Sequence, residues 1–196
     1  MREKGLSIQP MAFVLLLWML LTDRGGIALM TLAAALLHEG GHVLAARAMR
    51  IPLSNLRIDI LGARLEVRGR LLSYGEEWLL CAAGPLASLA GAAFAAPLWD
   101  VMPPLIGFSC ASLLLGLLNL LPIRGFDGGR MLESLLSAAL SVRICRRVMQ
   151  FSTFTFLFLL WACAVYFLLR ANDGLSLLCF SMSLFAKFFG DGEEAR

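Results

Sequence analysis

Apolar residues run along this chain in blocks longer than a soluble fold needs, and the polar positions are gathered between them. Runs at 8–21, 27–48, 78–99, 105–121, 151–169 and 175–189 read as six membrane-crossing helices, since a bilayer core takes about 20 apolar residues. The first run is short and borrows flanking residues. Its Pro10 is tolerable in a first helical turn. Glycine, proline and charged residues at 22–26, 100–104, 122–125 and 170–174 mark the turns. Two stretches depart from this rhythm. In 53–72, Leu56, Ile58 and Ile60 alternate with Arg57 and Asp59, and Leu65 and Val67 alternate with Arg64, Glu66 and Arg68. That period of two predicts a β-hairpin with strands near 56–60 and 65–69 around Gly62-Ala63. Bare strand edges cannot lie in hydrocarbon, so the hairpin is expected at the membrane interface. Residues 130–150 are amphipathic and basic, which predicts a helix lying at the surface or partly embedded. Gly84-Pro85 would kink the third run or mark its irregular start. The expected fold class is therefore an all-α polytopic membrane protein, six transmembrane helices with a small interfacial β-hairpin, forming one domain over 1–196.

Composition agrees with a membrane class. The chain is 59% hydrophobic and 16% charged, against about 25% charge in soluble domains. The net charge of +3 does not indicate nucleic acid, because the arginines flank apolar runs and form no basic tail. The five cysteines lack paired ligand spacing and read as small hydrophobes without disulfides. No soluble appended domain, repeat or low-complexity linker is evident. The first run is read as a retained helix rather than a leader.

The two histidines of the sequence both lie in the second run, as His38-Glu39-Gly40-Gly41-His42. Helical residues four apart share a face. Two imidazoles there can grip one zinc ion, with Glu39 beside it to accept a proton from water. A single histidine on an apolar helix is more often a satisfied core residue. Two histidines and a glutamate in a stretch fit to cross a bilayer are costly there and mark function. A catalytic zinc site needs a third protein ligand, and the best candidate is Asp127 in Asn119-Leu120-Leu121-Pro122-Ile123-Arg124-Gly125-Phe126-Asp127-Gly128-Gly129. An Asp-Gly pair is also an ordinary turn sequence, and both readings of Asp127 stand at this point.

Charge supports this placement independently. With six spans, 15 of the 17 basic residues fall on the side that holds both termini, leaving only Arg24 and Arg170 opposite. The positive-inside rule makes the rich side cytoplasmic. His42 lies five residues before Arg47, about 7.5 Å of helix rise, so the candidate site sits toward the cytoplasmic boundary, where water can reach it. An integral protein of a bacterial cell membrane is the expected localisation.

The chain resembles the site-2 proteases, membrane-embedded zinc metalloproteases that cut other membrane proteins. The motifs are His38-Glu39-Gly40-Gly41-His42, Gly84-Pro85, and Asn119-Leu120-Leu121-Pro122 followed by Asp127-Gly128-Gly129, and the likeness covers roughly residues 27–135. The layout is most similar to the branch of the sporulation factor protease, stage IV FB. The resemblance implies zinc (Zn2+) bound by His38, His42 and Asp127, with Glu39 as catalytic base. It departs at Ser88, where the family has an asparagine, and at Arg124-Gly125, where a proline is common. Asn119 is a candidate catalytic donor to the oxyanion, or else caps the broken helix. The implied substrate is a membrane protein with an unwindable helix, which the hairpin edge could receive by β-addition. A regulatory partner in the membrane fits the same picture. Two other classes use the same residues differently: a metal or solute transporter with His38, His42 and Asp127 as a transit site, and an inactive membrane scaffold.

Overall fold

The computed structural model of the chain describes residues 7–8, 23, 26–59, 62–67, 71–171, 178–179, 181–186 and 188. The chain divides into two compact units, residues 1–120 and 121–196. In the first unit, helices α1 (Ile27–Ala48), α2 (Tyr74–Ala95) and α3 (Pro104–Asn119) pack on one another. A single 3-10 turn, Ala96–Leu98, continues α2. A small sheet of β1 (Ser7–Ile8), β2 (Leu53–Asp59) and β3 (Gly62–Val67) lies between α1 and α2 in the chain order, apart from β1. The second unit carries α4 (Asp127–Ala139) and α5 (Val142–Ala171), packed together.

Local chemistry explains where these helices begin and end. Before α1, Asp23 Oδ2 accepts from the Ala28 N–H at 2.6 Å, satisfying one donor that the helix start leaves open. At its end, Ile51 N–H donates to Ala46 O at 2.8 Å and Arg50 N–H to Arg47 O at 3.1 Å. This is a Schellman arrangement, with Arg50 at φ 54 in the place glycine usually takes. Ile51 is thereby turned inward against Ala46 and Leu80. Helix α2 opens on a capping box: Ser73 Oγ accepts from Glu76 N–H at 3.3 Å, and Glu76 Oε2 accepts from Ser73 N–H at 3.0 Å. Glu76 and Glu77 in that first turn also complement the helix dipole.

The expected fold class needs correction. Among the described residues three helices, not six, are long and apolar enough to cross a membrane: Ile27–Ala48, Tyr74–Leu98 and Val142–Arg170. Pro104–Asn119 is a shorter apolar helix of 16 residues, about 24 Å long against a hydrocarbon core of about 30 Å. Prolines bound it, Pro103 just before, Pro104 at its first position and Pro122 after, and they limit its length. The first expected run, 8–21, lies outside the described residues but for Ile8, and so do the tail at 190–196 and much of the sixth run. The polar segment after α1 is not a hairpin standing alone. It belongs to a three-stranded sheet of order β1-β2-β3, in which Ser7–Ile8 pairs in parallel with Arg57–Ile58. Strands β2 and β3 are antiparallel from Leu53↔Val67 to Asp59↔Gly62, with a register shift between Leu53 and Asn55. Gly62 therefore opens the return strand instead of turning the chain. Central β2 has β1 paired to it at Arg57–Ile58 and β3 along its other side.

Two other boundaries move. Helix α2 runs unbroken through Gly84-Pro85, having started at Tyr74. The basic stretch expected as a helix over 130–150 is divided at Leu140, whose backbone is extended (φ −124, ψ 159). Ser141 then begins α5, accepting from Cys145 N–H at 3.0 Å, and α5 continues through what was expected to be a separate span.

Large apolar side chains stand exposed on these helices, among them Leu36 and Leu44 on α1, Phe94 on α2, Leu114 on α3 and Phe151 on α5. Such faces suit lipid. With its multiple long apolar helices, the chain is an integral membrane protein. Inward faces are instead built of small residues: Ala34 and Gly41 on α1, Cys81, Ala82, Gly84, Ser88 and Ala92 on α2, Ser109, Ser112 and Gly116 on α3. Small residues let membrane helices approach closely. A Cβ at Gly41 would meet Ala83 O at 2.5 Å and Ala87 Cβ at 2.7 Å, whereas one at Gly40 meets nothing within 4 Å.

Neighbouring glycines should therefore respond oppositely. Gly40→Ala should hold or raise the thermal midpoint in detergent, since alanine favours a helix by about 1 kcal/mol over glycine. Gly41→Ala should lower it, overpacking costing roughly 1–3 kcal/mol. Equal midpoints for the two variants would show that α1 and α2 do not touch at Gly41.

Candidate metal centre

His38 and His42 stand one turn apart on α1, both buried, with ring centroids 5.0 Å apart and planes at 81°. A buried imidazole must find partners for its polar nitrogens. Helix α2 supplies one for each ring. His42 Nδ1 lies 2.8 Å from Leu80 O, and His38 Nδ1 lies 2.9 Å from Ser88 Oγ. A carbonyl can only accept, so His42 carries its proton on Nδ1 and keeps the Nε2 lone pair for a metal. The Ser88 hydroxyl can accept likewise from His38 Nδ1–H. Fixing the far nitrogen in this way is how proteins orient imidazole ligands.

Gly84 lies between these two anchors on the same stripe of α2. A Cβ there would run into the His42 ring at Nε2, Cε1 and Cδ2. Glycine is thus required for the metal-facing edge of His42 to remain open. Glu39 follows His38 directly and is half-buried, its Oε2 shielded from solvent. Asn119 ends α3, where its Nδ2 donates to Leu115 O at 3.0 Å.

In the second unit, Asp127 is the first residue of α4 and is partly buried. A carboxylate is favoured at a helix N-terminus by the dipole. The loop before it turns through Gly125 at φ 96. Gly129 admits the Ile123 carbonyl against the first turn of α4, where a Cβ would overlap that oxygen.

Among the described residues, His38, His42 and Asp127 offer ligand atoms that all lie within 4.8 Å of one another. Two imidazole nitrogens and one carboxylate oxygen are the donor set of catalytic zinc sites. With both Nδ1 atoms engaged on the far side, the residues fit zinc. In the sequence Ser88 stands out as a departure from the family pattern and as one of a run of small residues, and Gly84 as a helix irregularity; their spacing with Leu80, four residues each way, is the signal that the three share one face. Nothing in the spacing told which face of α1 they meet.

The fold defines a class, a membrane-embedded helical protein, and α1 carries a buried histidine pair within it. Residues 83–163 match peptidase family M50. That match begins after His42, so it stands independently of the histidine pair. The chain is 34% identical over 121 residues to the candidate zinc metalloprotease Rip3 of two strains of Mycobacterium tuberculosis, covering 57% of this chain and 31% of theirs. It thus spans about a third of the length of those curated relatives. Its fold is similar to that of the site-2 protease from Methanocaldococcus jannaschii, with a TM-score of 0.62 and 20% identity over 100% of this chain and 94% of that one. These are likenesses of sequence over part of the chain and of fold over its whole length.

Removing the α2 anchor should loosen the ligand it holds. Ser88→Ala should weaken zinc binding about 10- to 100-fold, as loss of such outer partners commonly does, and Ser88→Thr should restore most of it. Gly84→Ala should bind still less zinc. Competition with a chromogenic chelator measures both, and parental affinity in Gly84→Ala would mean that the metal does not approach His42 at Nε2.

Proposed function

We propose that this chain is a zinc-dependent intramembrane endopeptidase that hydrolyses a peptide bond in or near the transmembrane segment of a membrane protein, with 1–196 acting as one protease domain. The observation that carries the reading is the pair His38 and His42, anchored through Nδ1 on a helix fit to cross a membrane and grouped with Asp127. His38 and His42 would hold the ion through Nε2, and Asp127 through a carboxylate oxygen. When bound, zinc supplies a Lewis acid that polarises the scissile carbonyl and makes water acidic enough to react near neutral pH.

Glu39 then does the proton work. Its carboxylate takes the proton of the attacking water and returns it to the leaving amide nitrogen. It lies beside His38 without being one of the grouped ligands, which suits a base better than a transit site. Asn119 commits one amide proton to Leu115 O and has a second to offer a developing oxyanion. A helical substrate hides its peptide bonds in its own hydrogen bonds, so the substrate is a membrane protein whose helix unwinds near the cut, as glycine or proline allows. A narrower placement beside stage IV FB rests on the motif resemblance.

Orientation follows from charge. Of the 13 arginines between 24 and 170, Arg47 lies in the last turn of α1, five lie between α1 and α2, five lie between the end of α3 and the first turns of α5, and only Arg24 and Arg170 fall elsewhere. The positive-inside rule then puts the C-terminal end of α1, and with it the site, toward the cytoplasm of a bacterial cell membrane.

The deciding experiment is Glu39→Gln in purified protein. Cleavage of single-span substrates should vanish while zinc content stays near one ion per chain; normal turnover in that variant would reject Glu39 as the base. A reporter inserted near Arg50 should be cytoplasmic and one near Pro103 external. The reverse result would overturn the orientation.

A further inference from the structure

The segment that delivers Asp127 is not helical, and its backbone is held from α5. Pro122 O accepts from Ser152 Oγ at 2.9 Å, and Arg124 N–H donates to Thr153 Oγ1 at 3.0 Å. Between these points lies Ile123, 2% exposed. Its own groups are met locally, its N–H by Leu121 O at 2.7 Å and its carbonyl by Phe126 N–H at 3.0 Å. Buried backbone groups outside a helix need such partners, most of all in a membrane protein. Serine and threonine within a helix ordinarily bond back to their own preceding turn. Here two consecutive hydroxyls of α5 reach outward and catch the chain on both sides of Ile123. The same Ile123 carbonyl sits against Gly129 in the first turn of α4, the turn that begins with Asp127.

From this continuous path we infer that Ser152 and Thr153 are positioning residues for Asp127, a two-hydroxyl clamp that sets the third metal ligand through Pro122, Ile123 and Arg124. The inference rests on the proposed role of Asp127 as that ligand. A merely structural pair would stabilise the fold without any special link to Asp127. A positioning pair must lose its effect on zinc once Asp127 is gone.

The test is a double-mutant cycle on the full chain in detergent, with zinc affinity read by chelator competition and folding by the thermal midpoint. Ser152→Ala with Thr153→Val should weaken zinc about 10- to 100-fold, and Thr153→Ser should recover nearly all of the part due to Thr153. In an Asp127→Ala background the same pair should add less than about twofold, since coupled residues are not additive. Ser152→Ala alone leaves the Arg124 bond intact and reads the same coupling if the double variant does not fold. Parental zinc affinity in the folded clamp variants, or an equal loss with and without Asp127, would overturn the inference. Parental zinc affinity in Asp127→Ala itself would instead overturn the ligand assignment beneath it.

Discussion

Two imidazoles buried in an apolar helix are the constraint on which this molecule depends. Each ring has two polar nitrogens, and an unmet one is costly where water is scarce. Helix α2 meets the far nitrogen of each with Leu80 O and Ser88 Oγ. That one choice has two consequences: it places the His42 proton on Nδ1, and it requires α1 and α2 to lie very close.

Closeness in turn dictates composition. Gly41 must lack a side chain because α2 backbone occupies the space, and Gly84 must lack one because the His42 ring does. Gly116 repeats the arrangement on α3, where a Cβ would lie 3.2 Å from that of Ser88. The small residues of the inner faces are thus the mirror image of the histidines' hydrogen bonds. The large apolar residues are left to the outside, which a soluble protein could not tolerate. In the second unit the same economy appears in another form. An irregular loop is satisfied by two helix hydroxyls and by its own turns, and Gly129 lets that loop press against the start of α4.

The elements most legible in the sequence were those whose cause is local. The apolar run and its flanking turn signals marked α1 to the residue, and the four-residue spacing of His38 and His42 with Glu39 between them announced the metal chemistry. Period-two alternation at 56–67 marked strands, and Pro122 marked the end of α3. Failures came where the deciding contact was distant. The parallel pairing of Ser7–Ile8 with β2 bridges some fifty residues, and no alternation within 53–72 could report it. The division at Leu140 rather than near 150 depended on Ser141 starting a helix, a weak signal inside an amphipathic stretch.

Sequence alone thus determined the residue types for a zinc site, their spacing on a helix, and a composition that only a membrane accepts. Those follow from side-chain chemistry and from the helical period. Only the tertiary structure decided which nitrogen of His42 holds the proton, why glycine stands at 84 and 41, and what steadies the loop before Asp127. Each of those depends on a partner 29 to 50 residues away, as Leu80, Ser88 and Thr153 are, or on backbone approach. A linear pattern carries no record of which faces meet.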